Sequence, residues 1–124
     1  MAEEAAKLKA EGNAFLKAKD FPNAIKKYTA AIELDGSNHV FYSNRSAAYL
    51  STGDGENALQ DAEKCIELNP SWPKGYSRKG SALYHLRDFE KASEAYSEGL
   101  KVAPSDAALK KGLVSAERQL AAAR

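Results

Sequence analysis

A step of 34 residues recurs through the chain and constrains its fold more than any other feature. Residues of similar size and type return at constant phases: Gly12, Ser46 and Gly80; Asp20, Asp54 and Asp88; Ala24, Ala58 and Ala92; Ile32, Ile66 and Leu100. A period of this length is typical of a solenoid, in which one small supersecondary unit stacks on the next. Residues at one phase then line up along a continuous surface, so a ligand site can be sought by comparing the repeats.

The residues between these positions favour helices throughout the chain. Clusters of Gly, Pro, Asp and Asn divide the sequence into segments rich in Ala, Leu, Lys and Glu, which are good helix formers. No segment shows the alternation of a β-strand. The pattern predicts an all-α fold of seven helices, at about 2–18, 22–34, 39–52, 56–68, 73–86, 90–102 and 107–122.

The last predicted helix is amphipathic and stands outside the three pairs. One stripe is apolar, formed by Leu109, Leu113, Ala116 and Leu120. The opposite face is charged, with Lys110, Lys111, Glu117 and Arg118. A helix of this kind can cover the end of a solenoid and face water on its other side, so we expect a C-terminal cap.

The composition argues against several classes of function. The net charge is +1, from 18 basic and 17 acidic side chains, whereas dedicated nucleic-acid binders are usually strongly basic. No apolar run approaches the length of a membrane span. The single cysteine, Cys65, excludes an internal disulfide and fits a reducing compartment. We therefore expect a cytoplasmic location, with the nucleus as an alternative, and no nucleic-acid or membrane partner.

No pattern for catalysis or for a cofactor emerges. His39 and His85 are too far apart in the repeat stack to form an obvious metal pair, and Cys65 occupies a packing phase. The glycines of the segment 53–55 join two helices and lack the lysine and the strand-to-helix context of a phosphate loop. The expectation is a protein that is not an enzyme and that holds neither a metal nor a cofactor.

One face of the first helix in each pair carries an unusual set of side chains. With 3.6 residues per turn, the recurring small and aromatic residues fall on one side and fifteen other positions fall opposite. These groove-face positions are Ala6, Lys9, Ala10, Asn13 and Lys17, then Val40, Ser43, Asn44, Ala47 and Ser51, then Lys74, Ser77, Arg78, Ser81 and His85. None of them is acidic, although the chain has 17 acidic residues.

The groove face concentrates hydrogen-bond donors. Lys9 and Asn13 are four residues apart, so they point the same way on a helix, as do Lys74 and Arg78, and Asn44 lies between the two pairs in the stack. Ammonium, amide and guanidinium groups together suit an anion that must be approached from several directions. A C-terminal aspartate, with two carboxylates close together, is such a ligand, so these five residues are the candidate binding site.

The recurring positions resemble the signature of tetratricopeptide repeats. The matching residues are Leu8, Glu11, Gly12, Phe15, Ala24, Tyr28, Ala31 and Gly36; Tyr42, Arg45, Ser46, Tyr49, Ala58, Ala62, Cys65 and Pro70; Tyr76, Lys79, Gly80, Leu83, Ala92, Tyr96, Gly99 and Pro104. The resemblance implies a right-handed α-solenoid within a single domain, 1–124, with repeats at about 5–38, 39–72 and 73–106 and a capping helix at about 107–122. We expect a monomeric domain cut from a longer protein, because the chain stops without a helix-ending residue.

Within that family the segments 9–13, 42–49 and 74–79 resemble the chaperone-binding domains that carry a two-carboxylate clamp, as in the heat-shock-organising co-chaperones. The resemblance implies that Lys9, Asn13, Asn44, Lys74 and Arg78 form the clamp. It implies a Glu-Glu-Val-Asp tail as ligand, from the 70-kDa heat-shock chaperone in preference to the 90-kDa one. Leu16, Ala47 and Leu50 are candidate apolar contacts for the valine of the tail.

Two other functions fit the same residues. The domain could target a multidomain enzyme, such as a phosphatase, a prolyl isomerase or a ubiquitin ligase, to a chaperone, with catalysis elsewhere in the protein. It could also be a general scaffold that binds a different acidic peptide, in which case internal acidic segments would compete as well as free C-termini.

Overall fold

The computed structural model describes residues 2–123, and it contains seven helices and no strand within that range. The helices are α1 (Ala2–Lys17), α2 (Phe21–Leu34), α3 (His39–Ser51), α4 (Gly55–Leu68), α5 (Pro73–His85), α6 (Phe89–Val102) and α7 (Ala107–Ala122). Each helix begins and ends within one residue of the range that the sequence predicts. The prediction of an all-α fold with seven helices is confirmed.

The helices stack in chain order. α1 packs on α2, α3 on α4 and α5 on α6, and each pair contacts the next one through α2 with α3, α4 with α5, and α6 with α7. A second set of contacts joins α1 to α3, α3 to α5 and α5 to α7. These four helices therefore form one continuous row, called here the inner row, and it brings the groove-face positions of successive pairs side by side.

An aspartate begins the second helix of every pair. The carboxylate of Asp20 accepts a hydrogen bond from the backbone N–H of Asn23, and Asp54 and Asp88 do the same for the residues three further on. A side chain of this type satisfies one of the N–H groups that a helix start leaves without a partner. The 34-residue recurrence of aspartate thus has a structural cause, which is N-capping.

The turn before each of these aspartates is left-handed. Lys19, Gly53 and Arg87, again 34 residues apart, have φ values of 64°, 84° and 66°. In the first repeat the N–H of Asp20 bonds to the carbonyl of Phe15 at 2.8 Å, the Schellman arrangement that ends a helix, and the other two repeats share it. Only glycine adopts this conformation without strain, so Lys19 and Arg87 are strained residues.

Replacing Lys19 or Arg87 with glycine should therefore stabilise the domain, by about 0.5–1 kcal/mol each, because the relief of strain exceeds the added entropy of the unfolded chain. Urea denaturation measures the change. Gly53→Ala is the matched opposite and should destabilise. A loss of stability in Lys19→Gly and Arg87→Gly would contradict the strain that the dihedral angles indicate.

Close packing within the first and third pairs depends on glycine. A Cβ atom added to Gly12 would lie 2.6 Å from the ring of Tyr28, and one added to Gly80 would lie 2.5 Å from the ring of Tyr96. The middle pair uses Ser46 instead, whose hydroxyl donates to the backbone carbonyl of Ala58 at 2.8 Å. The prediction that small residues at this phase let the paired helices approach is confirmed.

α7 covers the last pair as the sequence predicts. Leu109 and Ala116 are fully buried against α6 and its neighbours, whereas Lys110 and Lys111 on the other face are exposed. None of the helices within residues 2–123 combines the length and the apolar character that crossing a bilayer requires.

Candidate functional site

Asn13, on α1, is held by residues from two other helices. Its Oδ1 atom accepts a 2.6 Å hydrogen bond from the hydroxyl of Tyr28 on α2, and a 3.3 Å bond from Nδ2 of Asn44 on α3. Tyr28 is completely buried, and burial raises the pKa of its phenol, an effect that nearby Arg78 partly offsets. The phenol is therefore protonated at neutral pH and acts as a donor.

The two bonds to Oδ1 decide what Asn13 offers to a ligand. Because donors converge on the oxygen of the amide, that oxygen is occupied and the Nδ2 group of Asn13 turns away from Tyr28. Asn13 is exposed, so its two N–H bonds are available on the groove face. Asn44 uses one N–H bond for Asn13 and keeps a second donor and an acceptor oxygen, which suits a peptide group.

Arg78, on α5, is fixed by a residue of the neighbouring repeat. Its Nε atom donates to Oγ of Ser43 on α3 at 3.3 Å, and this is its only side-chain hydrogen bond within residues 2–123. The side chain is half-buried, and burial lowers the pKa of its guanidinium, although arginine keeps its charge. The two terminal nitrogens therefore present a charged fork that an anion can neutralise.

Lys9 and Lys74 complete the set of cations. Each lies one turn before a residue described above, Lys9 before Asn13 on α1 and Lys74 before Arg78 on α5. The ammonium of Lys74 lies 5.9 Å from the ring centroid of Trp72, within the range of a cation–π contact.

Other cations of the chain differ from these three. Ion pairs with carboxylates involve Lys27, Arg45, Lys64 and Lys79, none of which is at a groove-face position. Arg45, next to Asn44 in sequence, is bound through two nitrogens to Asp61 at 2.7 and 2.8 Å. Within the described residues, Lys9, Lys74 and Arg78 pair with no carboxylate, so the positive charge of the groove face has no internal counterpart.

The structure brings the five predicted residues together to different degrees. Asn13 and Asn44 are in direct contact, and Arg78 joins them through Ser43, the residue before Asn44, and through its electrostatic interaction with Tyr28. Lys9 and Lys74 lie on the same helices without a direct bond to the others. These two lysines flank a central cluster of Asn13, Asn44 and Arg78.

The three predicted apolar contacts are all half-buried. Leu16 already packs against the core cluster of Ala24, Tyr28 and Ala48, so only part of its surface is open to a ligand. Ala47 and Leu50 are on α3, one turn or more beyond Asn44. Their role toward a ligand stays a prediction.

Two residues of the site were missed by sequence reasoning. Tyr28 was assigned to packing alone, and that part is confirmed, but the view that it has no polar role is wrong because its hydroxyl orients Asn13. Ser43 was placed on the groove face without a role, and it is fully buried and supports Arg78. A signal for the first existed: Tyr96 bonds to Ser81 at 3.2 Å across the same separation of 15 residues.

Cys65 is not activated for chemistry. It is fully buried, and burial raises the pKa of its thiol to about 11, so the thiol stays protonated at neutral pH. Within residues 2–123 no group of three or more His, Cys, Asp or Glu side chains is arranged to hold a metal ion.

Comparison with known proteins places this geometry in a family. Two family models, both described as tetratricopeptide repeat, match residues 9–72 and 73–106. The chain belongs to the tetratricopeptide-repeat family. The whole chain is also 55% identical to "Hsp70-Hsp90 organizing protein 1" of Arabidopsis thaliana, over 124 residues. It spans only 21% of that relative, so the match concerns one tetratricopeptide domain of a longer protein.

Two solved tetratricopeptide domains contain peptides. The first such domain of Spaghetti (RPAP3), bound to the HSP90 peptide SRMEEVD, is 30% identical with a TM-score of 0.92, covering 98% of this chain and 96% of that one. The second domain of human RPAP3, in complex with the HSP70 peptide SGPTIEEVD, is 30% identical with a TM-score of 0.89, covering 93% of this chain and 96% of that one. The tetratricopeptide solenoid predicted from the sequence is confirmed.

Proposed function

We propose that this domain is a co-chaperone adaptor that binds the C-terminal Glu-Glu-Val-Asp tail of a cytosolic heat-shock chaperone. The observation that carries the proposal is the central cluster: Asn13 turns its amide donors outward because Tyr28 and Asn44 occupy its oxygen, and Arg78 lies beside it with no carboxylate partner among the described residues. Such a surface offers donors and positive charge, and it lacks the countercharge that a ligand would bring.

The five clamp residues divide between the two carboxylates of a terminal aspartate. Lys9, Asn13 and Asn44 bind the chain-terminal carboxylate, and the acceptor oxygen of Asn44 receives a peptide N–H from the tail. Lys74 and Arg78, from the other side of the groove face, bind the side-chain carboxylate. Charge-assisted hydrogen bonds of this kind contribute roughly 1.5–3 kcal/mol each. The half-open face formed by Leu16, Ala47 and Leu50 receives the valine.

The relatives support this ligand. Two domains of the same fold hold peptides that end in Glu-Glu-Val-Asp, one from HSP90 and one from HSP70. The relative that matches the whole chain is named as an organiser of both chaperones. The sequence resemblance favours the 70-kDa class, and we propose that preference together with a cytoplasmic location. The free energies of binding of the peptides SGPTIEEVD and SRMEEVD, compared on one preparation, measure the preference.

Calorimetry with SRMEEVD as the free acid and as the C-terminal amide tests the proposal. The amide removes one of the two terminal carboxylates and keeps the rest of the sequence, so we expect roughly 10-fold weaker binding or less than detectable binding. Binding of the free acid should also weaken as salt rises, because the clamp is an exposed charged surface.

An internal acidic peptide distinguishes the adaptor from a general acidic scaffold. The same four residues, Glu-Glu-Val-Asp, placed in the middle of a longer peptide carry the side chains without the terminal carboxylate. We expect this peptide to compete poorly with the free tail. Equal affinities of the tail, its amide and the internal peptide would contradict the proposal.

A further inference from the structure

A second cavity continues the groove face beyond the clamp. Its volume is about 390 Å³, which is at the small end of the range for ligand pockets, and it lies between α5, α6 and α7. Its polar lining comes from the hydroxyls of Ser77, Ser81, Tyr96 and Ser115 and from the ammonium of Lys111. No carboxylate lines it.

The cavity occupies the phases of the clamp, moved along the solenoid. Ser77 and Ser81 follow Lys9 and Asn13 by 68 residues, which is two repeats, and Lys111 follows Lys9 by 102 residues, which is three. α7 is therefore more than a cover for the core, because it presents a lysine at the phase that α1 uses for the first clamp residue. Since α5 carries Arg78 as well as Ser77 and Ser81, clamp and cavity share one helix.

The walls and the polar groups of the cavity define the side chain it accepts. The rings of Tyr84 and Tyr96 supply apolar surface, and Ser81 and Tyr96 are bonded to each other through their hydroxyls at 3.2 Å. Lys111 is exposed and takes part in no ion pair among residues 2–123. An apolar stem that ends in an anion satisfies both parts, and glutamate has that form.

The position of the cavity selects the residue of the tail. Neighbouring helices pack about 8–10 Å apart, and an extended chain advances about 3.3–3.6 Å per residue. A peptide whose terminal aspartate is held by α1, α3 and α5 therefore reaches the space between α5 and α7 two to three residues earlier. In Glu-Glu-Val-Asp, the first glutamate is three residues before the terminal aspartate.

We propose that this cavity is a subsite for the first glutamate of the Glu-Glu-Val-Asp tail, with Lys111 as the group that binds its carboxylate. The proposal rests on the proposed function, since it takes the same tail as ligand. It assigns to the capping helix a part in ligand selection, because a tail with a neutral residue at that position forfeits the ion pair with Lys111.

Three protein variants and two peptides test the subsite. The proteins are the unaltered domain, Lys111→Gln and Lys110→Gln; the last is a matched control, because Lys110 is a neighbouring exposed lysine on α7 that does not line the cavity. The peptides are Ser-Arg-Met-Glu-Glu-Val-Asp and the same peptide with its first glutamate replaced by glutamine. Affinities are measured by calorimetry at low salt, where exposed charges interact most strongly.

Lys111→Gln should weaken binding of the glutamate peptide by about 3-fold, as expected for a partly exposed ion pair, and should leave binding of the glutamine peptide unchanged. Lys110→Gln should alter neither affinity. Equal effects of Lys111→Gln and Lys110→Gln, or an effect of Lys111→Gln that persists with the glutamine peptide, would overturn the subsite. If amidation of the tail still weakens binding in that case, the clamp stands and only the subsite falls; if the free tail does not bind at all, both proposals fall.

Discussion

Replacing Asn13 with alanine should weaken binding of a free Glu-Glu-Val-Asp tail by roughly 10- to 100-fold, measured by calorimetry. The substitution removes the outward-facing amide that binds the terminal carboxylate, and it leaves the hydroxyl of Tyr28 and the amide of Asn44 without their shared partner. Asn13 is exposed, so the fold should persist and the loss should appear in affinity.

A control and a graded variant make this prediction sharper. Asn57→Ala removes another asparagine of the same exposed class, whose amide bonds to Asp54 on the outer side of α4, and it should leave affinity unchanged. Tyr28→Phe keeps the Asn13 amide and removes the hydroxyl that orients it, so its affinity should fall between those of the unaltered domain and of Asn13→Ala. Normal binding by Asn13→Ala would show that the amide is not part of the site.

Replacing Gly80 with alanine should destabilise the domain by about 1–3 kcal/mol. The ring of Tyr96 lies between two glycines, and a Cβ atom at Gly80 or at Gly112 would lie 2.5 or 2.4 Å from that ring. The ring therefore cannot move away from one helix without approaching the other. An alanine in a helix interior is otherwise favoured over glycine by about 1 kcal/mol, so the sign of the change is diagnostic.

Gly36→Ala is the matched control for this substitution. Gly36 lies in an exposed turn, and its added Cβ would meet only ordinary contacts, at 3.5 Å from the carbonyl of Ile32 and 3.8 Å from the hydroxyl of Tyr42. Urea denaturation should place Gly36→Ala within about 0.5 kcal/mol of the unaltered domain. A gain in stability for Gly80→Ala would contradict the close packing of α5, α6 and α7.

The fold could be read from the sequence because its information is repeated. A single Gly12 or Ala24 carries little weight, but the same residue class returning at two further steps of 34 residues identifies a packing phase. The helix ends were predictable for a similar reason, since Asp20, Asp54 and Asp88 each begin the second helix of a pair. The five candidate site residues emerged because they depart from the repetition on one face.

What the sequence did not reveal depends on contacts between helices. Tyr28 has the periodicity of a core residue, and its hydroxyl reaches the groove face only because Gly12 lets α1 and α2 approach closely. Ser43 has the phase of the groove face, but the side chain of Arg78 from the next repeat covers it. The strain at Lys19 and Arg87 was hidden by the absence of glycine, although both are in phase with Gly53.

The most direct test of the account combines Asn13→Ala with amidation of the tail in one thermodynamic cycle. Four affinities are measured: the unaltered domain and Asn13→Ala, each with the free-acid and the amidated peptide SRMEEVD. We expect the unaltered domain to prefer the free acid by roughly 10-fold or more and Asn13→Ala to lose most of that preference, since the amide of Asn13 and the terminal carboxylate act on each other. An equal preference for the free acid in both proteins would contradict the clamp.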